Sequence, residues 1–264
     1  MKKLLSVLVS TVVFFCTLVP TAHCDQIPRI DGNLPEGVSV EEFINLLVSK
    51  QAAKSVPFVQ IRKWRGNKYV MMLCVVNNKN RVDASESEKG DCGNKNFDIY
   101  IGVISFKEQK YTLEYHTNSP ILMNENVMDY DSYSIKLDLA PYTVNEKTTA
   151  IGLRRSYLTW NTGEDNHEEY LLLLIPHERK LIEIFSLGVN STEVSKGELH
   201  PDGMRDRFGY GNKSTVQALK TKTNGFYDYL VKTEQYEYEG RETKKSIKKD
   251  YYVWSQEKMQ YVLK

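Results

Sequence analysis

The chain is poor in the residues that usually announce a chemistry. Of its four cysteines, Cys16 and Cys24 fall in the first 24 residues, leaving Cys74 and Cys92 in the remainder. No His or further Cys stands at ligand spacing from either, so a zinc finger or ribbon is excluded. Serine never occurs in G-x-S-x-G, and no G-x-x-x-x-G-K-[ST] loop is present. Gly209-Tyr210-Gly211 is too short for a dinucleotide fingerprint. Charge of one sign is lacking too: 35 basic against 34 acidic residues give a formal charge of +1. Such a chain has no built-in attraction to nucleic acid or anionic membrane. Long apolar runs are absent after the first two dozen residues, so no later transmembrane segment is expected. No cofactor or metal is expected either.

The one apolar run that exists is the most informative segment. Lys2 and Lys3 form a basic start, and Leu4 to Val19 is apolar apart from Ser6, Ser10, Thr11 and Thr17. Pro20 ends the run, and Ala22 and Cys24 stand at the −3 and −1 positions of a cleavage after Cys24. This is the layout of a secretory signal peptide over residues 1–24. An uncleaved anchor is the competing reading, disfavoured by Pro20 and the small residues. A lipoprotein modified at Cys24 is a further alternative, but His23 stands where a small residue belongs and Leu18-Val19-Pro20 is offset. Cleavage leaves residues 25–264, which is 264 − 24 = 240 residues. Loss of Lys2 and Lys3 takes the formal charge from +1 to −1. In an oxidising compartment the surviving pair Cys74 and Cys92 is expected to form a disulfide. It would close a loop of 92 − 74 = 18 residues, for which chain entropy predicts roughly 3 kcal/mol. Two free thiols are the alternative.

What the chain has in quantity is tyrosine: 17 residues, mostly in alternating runs. Tyr, Val, Ile, Thr and Phe fit a pleated, half-buried surface, and exposed tyrosines also suit recognition. After a Pro- and Gly-rich lead-in over 25–37, Ser39 and Glu42 make an S-x-x-E capping box. Phe43, Ile44, Leu46, Leu47 and Val48 follow at helical spacing, predicting a helix over 40–54 docked by Phe43 and Leu47. Strands are then expected over 56–64, 68–76, 97–106, 110–117, 132–139 and 148–157. The continuous apolar run Glu169–Ile175 suits a strand buried on both faces, turning at Pro176–Arg179 into 180–187. Gly188 to Gly211, with five glycines, a proline and many charges, reads as irregular. Strands over 214–222, 226–238, 248–254 and 259–263 complete the chain. The basic cluster Arg241 to Lys249 reads as a solvated hairpin tip. The fold class is therefore mainly β: an antiparallel sandwich or irregular barrel of about twelve short strands with one N-terminal helix. A split into two β subdomains near 140–147 also fits.

Thr148–Tyr157, the Asn224-Gly225-Phe226-Tyr227-Asp228 segment and the closing Tyr252-Val253-Trp254 and Gln260-Tyr261-Val262 resemble a type of exported bacterial protein of unknown function. Those proteins pair "GFYD" and "YxW…YV" strands near their C-terminus. The resemblance covers about the last 120 residues. It implies a mainly-β exported protein in the periplasm or outside the cell, and it brings no catalytic residues.

Three constellations could carry chemistry. His167-Glu168-Glu169, preceded by Glu164 and Asp165, is the densest acidic group. It is not H-E-x-x-H, since Leu171 occupies the second ligand position, and a solvated loop is the simpler reading. His200, Asp202 and Asp206, with Arg205 and Arg207, could do acid–base work or simply pair charges in a Pro-Gly turn. Asp129-Tyr130-Asp131 has calcium-like spacing without the rest of an EF-hand. Asn190-Ser191-Thr192 and Asn212-Lys213-Ser214 match the glycosylation sequon, a motif short enough to arise by chance.

Three functions follow. The first is a non-enzymatic binding protein of the cell envelope, meaning an inhibitor, an immunity-type protein or an assembly factor with a protein partner. The second is a secreted hydrolase assembled from loops around His167 and His200, with Glu168 and Asp202. The third is a structural surface protein. Convergence of the two histidines with carboxylates in one cleft would favour the second.

Overall fold

The computed structural model describes residues 28–35, 37–53, 56–76, 97–108, 110–121, 132–160 and 164–264. Residues 1–24, Cys92 and Asp129-Tyr130-Asp131 lie outside the described residues. The chain is mainly β, and among the described residues thirteen strands form one hydrogen-bonded sheet that does not close into a barrel. In chain order these are β1 (Arg29–Asp31), α1 (Val40–Leu47), α2 (Lys50–Ala53), β2 (Phe58–Lys63), β3 (Lys68–Val76), β4 (Phe97–Lys107) and β5 (Lys110–His116). Then come β6 (Ser132–Thr143), β7 (Thr149–Trp160), β8 (Glu164–His177), β9 (Lys180–Leu199), β10 (Arg205–Thr223), β11 (Phe226–Gly240), β12 (Glu242–Ser255) and β13 (Gln260–Leu263).

Helix α1 begins where its capping box predicts: the Ser39 side chain accepts from Glu42 N–H, and the Glu42 carboxylate accepts from Ser39 N–H. It is shorter than expected. Val48 takes an extended backbone, so the helix stops at Leu47 and α2 is a separate turn. Two β-branched or capping-type residues in succession, Val48 and Ser49, explain the break. Docking is as expected. Phe43 is fully buried, with its ring 5.2 Å from that of Tyr111. Leu47 lies over Gly102, where a side chain on β4 would collide with it.

Four layers stack from this helix inward. The helix covers one face of β2–β4 through Val59, Ile61, Met71 and Leu73. The other face of β2–β4 (Val70, Met72, Cys74, Ile99, Ile101) packs on Ile135, Ile151, Leu153, Leu172 and Leu174 of the β6–β7–β8 sheet. The far face of that sheet, with Leu171, Leu173, Ile184 and Phe185, is covered in turn by Tyr229, Val231, Trp254 and Tyr261 of β11–β13. Successive residues 171–174 thus bury into two different cores, which is why this run carries no polar alternation. Phe185 is the hub of the second core: its ring lies 5.9 Å from Tyr229, 5.1 Å from Tyr252 and 6.0 Å from Tyr261, all edge-on.

Several expectations are revised. Strands β8 to β12 run 14 to 20 residues, not short. The segment 188–211 is not irregular but forms the paired ends of β9 and β10. Arg241 alone sits at a hairpin tip, while Glu242–Lys249 is exposed strand. We predict that Phe185→Ala costs about 3–5 kcal/mol in urea unfolding, whereas Ile247→Ala, at a site 54% exposed, changes stability by less than about 0.5 kcal/mol.

Candidate functional site

Strand β9 belongs to two structures. It pairs with β8 from Lys180 to Ser195, first inside the core and then beyond it, and from Asn190 to Leu199 it also pairs with β10 on the opposite edge. Beyond the core, β8 to β12 continue outward as an arm. From Val216↔Val231 to Arg207↔Gly240 the β10–β11 ladder extends roughly 30 Å at ~3.3 Å per residue. None of the three apolar clusters draws a residue from 190–215 or 232–250. Among the described residues there, only Val194 and Gly211 are buried. The arm is a single layer of sheet with both faces open to water.

Without a core, the arm rests on ladder hydrogen bonds and cross-strand side-chain pairs, each of which contributes roughly 0.2–1 kcal/mol. One face covers itself. The Arg207 guanidinium sits 4.4 Å from the Tyr238 ring centre, Tyr238 stacks on Tyr236 at 6.4 Å, and Lys245 lies over Tyr236 at 5.4 Å. Lys245 and the Tyr236 hydroxyl both reach Glu234, at 2.9 and 2.7 Å. Their hydrogen bonds, that of Lys245 first, hold the Glu234 carboxyl down at about 2. Gly209 is required by this geometry: its φ is +139°, and a Cβ would overlap the Glu193 carbonyl of the neighbouring strand.

The other face is open. Register places Ser191, Asn212, Gln235 and Ser246 in one row across β9–β12, and Glu193, Tyr210, Glu237 and Lys244 in the next. Asn212 donates to Ser191 Oγ at 2.6 Å, and Ser246 donates to Gln235 Oε1 at 3.3 Å. Side chains from both rows line a groove of about 480 Å³. Tyr210, 68% exposed, forms one wall.

At the arm's end, Leu199, Met204 and Phe208 are exposed large apolar side chains in and beside the β9–β10 turn. Phe208 lies across Gly197, where an added Cβ would meet the ring at 2.9 Å. Charges rim them: His200 Nε2 is 2.8 Å from Asp206, and Arg241 pairs with Asp202 at 3.2 Å.

The residues singled out in the sequence do not converge. His167, Glu168 and Glu169 lie in β8 rather than a loop, so alternation sends their side chains to opposite faces. His167 contacts Asn190 at 3.2 Å, Tyr170 donates to Glu168, and Glu169 pairs with Arg154. Asp165 pairs with Lys196 at 2.6 Å. Thr192, opposite His167, is seven residues from Leu199, so the two histidines stand roughly 20 Å apart along β9. His200 and Asp202 are held by neighbours at a convex tip, and no group of three His, Cys, Asp or Glu among the described residues is arranged to hold a metal ion. Cys74 is fully buried in β3. The two sequon asparagines, Asn190 and Asn212, both lie in arm strands.

A more enclosed polar cluster lies at the arm's root. Arg154 Nε donates to Asp138 at 2.6 Å and its Nη1 to Glu169, while Tyr142 donates to Asp138 at 2.7 Å. Burial pushes the Asp138 carboxyl up, but hydrogen bonds from Tyr142, Ala140 N–H and Arg154 outweigh it and leave it below its ordinary value. Burial and Asp138 push Tyr142 up to about 12. These groups satisfy one another, so the cluster is structural. No family model, curated protein or solved structure matches the chain.

Two outcomes follow. Because its folded-state pKa is lowered, Asp138 adds stability above the ordinary value of 3.8, and this is lost as pH falls through the lowered value. Asp138→Asn should therefore be less stable than the native chain in urea at neutral pH, with the gap closing as pH falls through the lowered value. His200→Ala should cost only the net worth of one hydrogen bond, roughly 0.5–1.5 kcal/mol, with faster amide exchange confined to the β9–β10 tip.

Proposed function

We propose that this chain is an exported, non-enzymatic binding protein of the cell envelope, of the inhibitor, immunity or assembly-factor kind, and that the arm is its contact with a protein partner. The observation that carries the reading is the exposure of three large apolar side chains, Leu199, Met204 and Phe208, at the end of the single-layer sheet, beside the charged Asp202, Asp206, Arg205 and Arg241. An apolar centre with a charged rim is the anatomy of a protein interface. Exposing three such side chains at the tip of a projecting element has no benefit for folding. The dispersal of His167, Glu168, His200 and Asp202 supports binding over hydrolysis. Export rests on the leader over residues 1–24, and periplasmic or secreted placement follows from it. A structural surface protein that assembles edge to edge is disfavoured by β12, whose open edge carries Lys244, Lys245, Lys248 and Lys249, the residue type that blocks strand addition.

The test uses the protein as bait against envelope extract, with captured proteins identified by mass spectrometry and rebound in purified form. A partner bound by the native chain and lost with the Leu199→Ser, Met204→Ser, Phe208→Ser variant is the expected result. No partner above background, or one retained by that variant, would overturn the reading. Export into an oxidising compartment further predicts a Cys74–Cys92 bridge. Cys92→Ser should cost roughly 3 kcal/mol, with Cys74 then open to alkylation after unfolding; equal stability of the two forms would contradict it.

A further inference from the structure

We infer that the open face of the arm is a binding platform for a neutral, linear glycan, seated in the groove between Tyr210 and the Ser191–Asn212–Gln235–Ser246 row. This goes beyond the protein contact at the tip and uses different side chains.

The backbone that floors the groove, at Gly211, Tyr236 and Lys245, lies in the ladders of β10, β11 and β12. Gly211 pairs on both edges, with Thr192 and with Tyr236. β10 and β11 are paired on both edges here and offer no free peptide groups, and the outer edge of β12 carries the lysines that block strand addition, so the groove does not take an extended peptide as an added strand. Recognition falls to side chains. Those available are two carboxamides, two hydroxyls and a phenol, groups that both donate and accept. Sugar hydroxyls require this mixed set. A uniformly apolar lining would suit a protein or lipid instead.

Charge points the same way. The lining side chains on this face include one lysine and one glutamate, Lys244 and Glu237, which are cross-strand partners. Lys244 also pairs with Glu239 at 2.7 Å. The side chain of Lys245 belongs to the opposite face, where Glu234 neutralises it. With Glu193 in the same row as Glu237 and Lys244, the groove has no net positive charge to attract a polyanion. Tyr210 supplies the remaining element: a ring 68% exposed, able to stack on the C–H face of a pyranose while its hydroxyl stays wet. The lining spans four strands, or ~14 Å at ~4.8 Å per strand, so the groove crosses the sheet and fits the interior of a chain, not a capped end.

The experiment is affinity electrophoresis of the full-length protein through gels carrying hydroxyethylcellulose, xylan, laminarin, galactomannan or glycol chitin. Retardation by at least one is expected, unchanged between about 0.05 and 0.5 M salt. Tyr210→Ala and Gln235→Ala should each weaken it about tenfold, the equivalent of ~1.4 kcal/mol. Ile247→Ala, on the self-covered face by register, should leave it unchanged. Circular dichroism and melting of each variant confirm folding, as exposed sites permit. Retardation by none of the five, retardation abolished by salt, or retardation that survives Tyr210→Ala would each overturn the proposal. Partner capture that persists in Tyr210→Ala while glycan retardation is lost separates this site from the tip contact.

Discussion

Everything in this molecule depends on β9 being paired along both edges, with β8 from the core out to Ser195 and with β10 from Asn190 to Leu199. Its first half is locked to β8, with Ile184 and Phe185 buried beneath the β11–β13 layer. Its second half carries β10 and, through it, β11 and β12 away from any core. A sheet without a hydrophobic face is marginal on its own. Here the ladder is continuous with one that is buried on both sides, so the arm inherits its register and direction from the centre of the protein. The bulges at Glu169/Tyr170 and between Arg205 and Arg207 are local irregularities within that continuity.

The consequence is a division of labour between two kinds of stability. In the core, burial dominates: Leu171 through Leu174 fill two clusters from one strand. In the arm, aromatic stacking, cation–π contacts and ion pairs replace burial; each is individually small, and the ion pairs are weakened by salt. One arm face spends its tyrosines on this task, with Tyr236 and Tyr238 sandwiched among Arg207, Lys245 and Glu234. The other leaves Phe208 and Tyr210 uncovered. That asymmetry is what turns a structural extension into a surface for recognition.

The core was largely legible in the amino-acid sequence. The capping box at Ser39 and Glu42, the Phe43/Leu47 contact face, and the unbroken run ending at Ile175 each have a local cause that survives in the folded chain. The arm was not. Between Gly188 and Gly211, glycines and charges suggest a loop because strand patterns are read from one apolar face, and a single-layer sheet has none. A period-two signal is nonetheless present in Phe208, Tyr210, Asn212 and Ser214, separated by Gly209, Gly211 and Lys213. For the same reason the groove went unseen, since its lining comes from four strands brought together only by register. His167 and His200 drew attention through local density of titratable groups, which says nothing about which sheet face a side chain occupies.

The central claim is that the arm is a preformed platform held by ladder continuity, not a segment that folds when it binds. Native-state amide hydrogen exchange of the free protein tests this most directly. The account predicts that amides of 190–194, 207–214 and 232–239 are protected, exchange together as one unit, and open at lower free energy than those of 171–175. Exchange of the arm at the rate of unstructured peptide, with the core still protected, would contradict it.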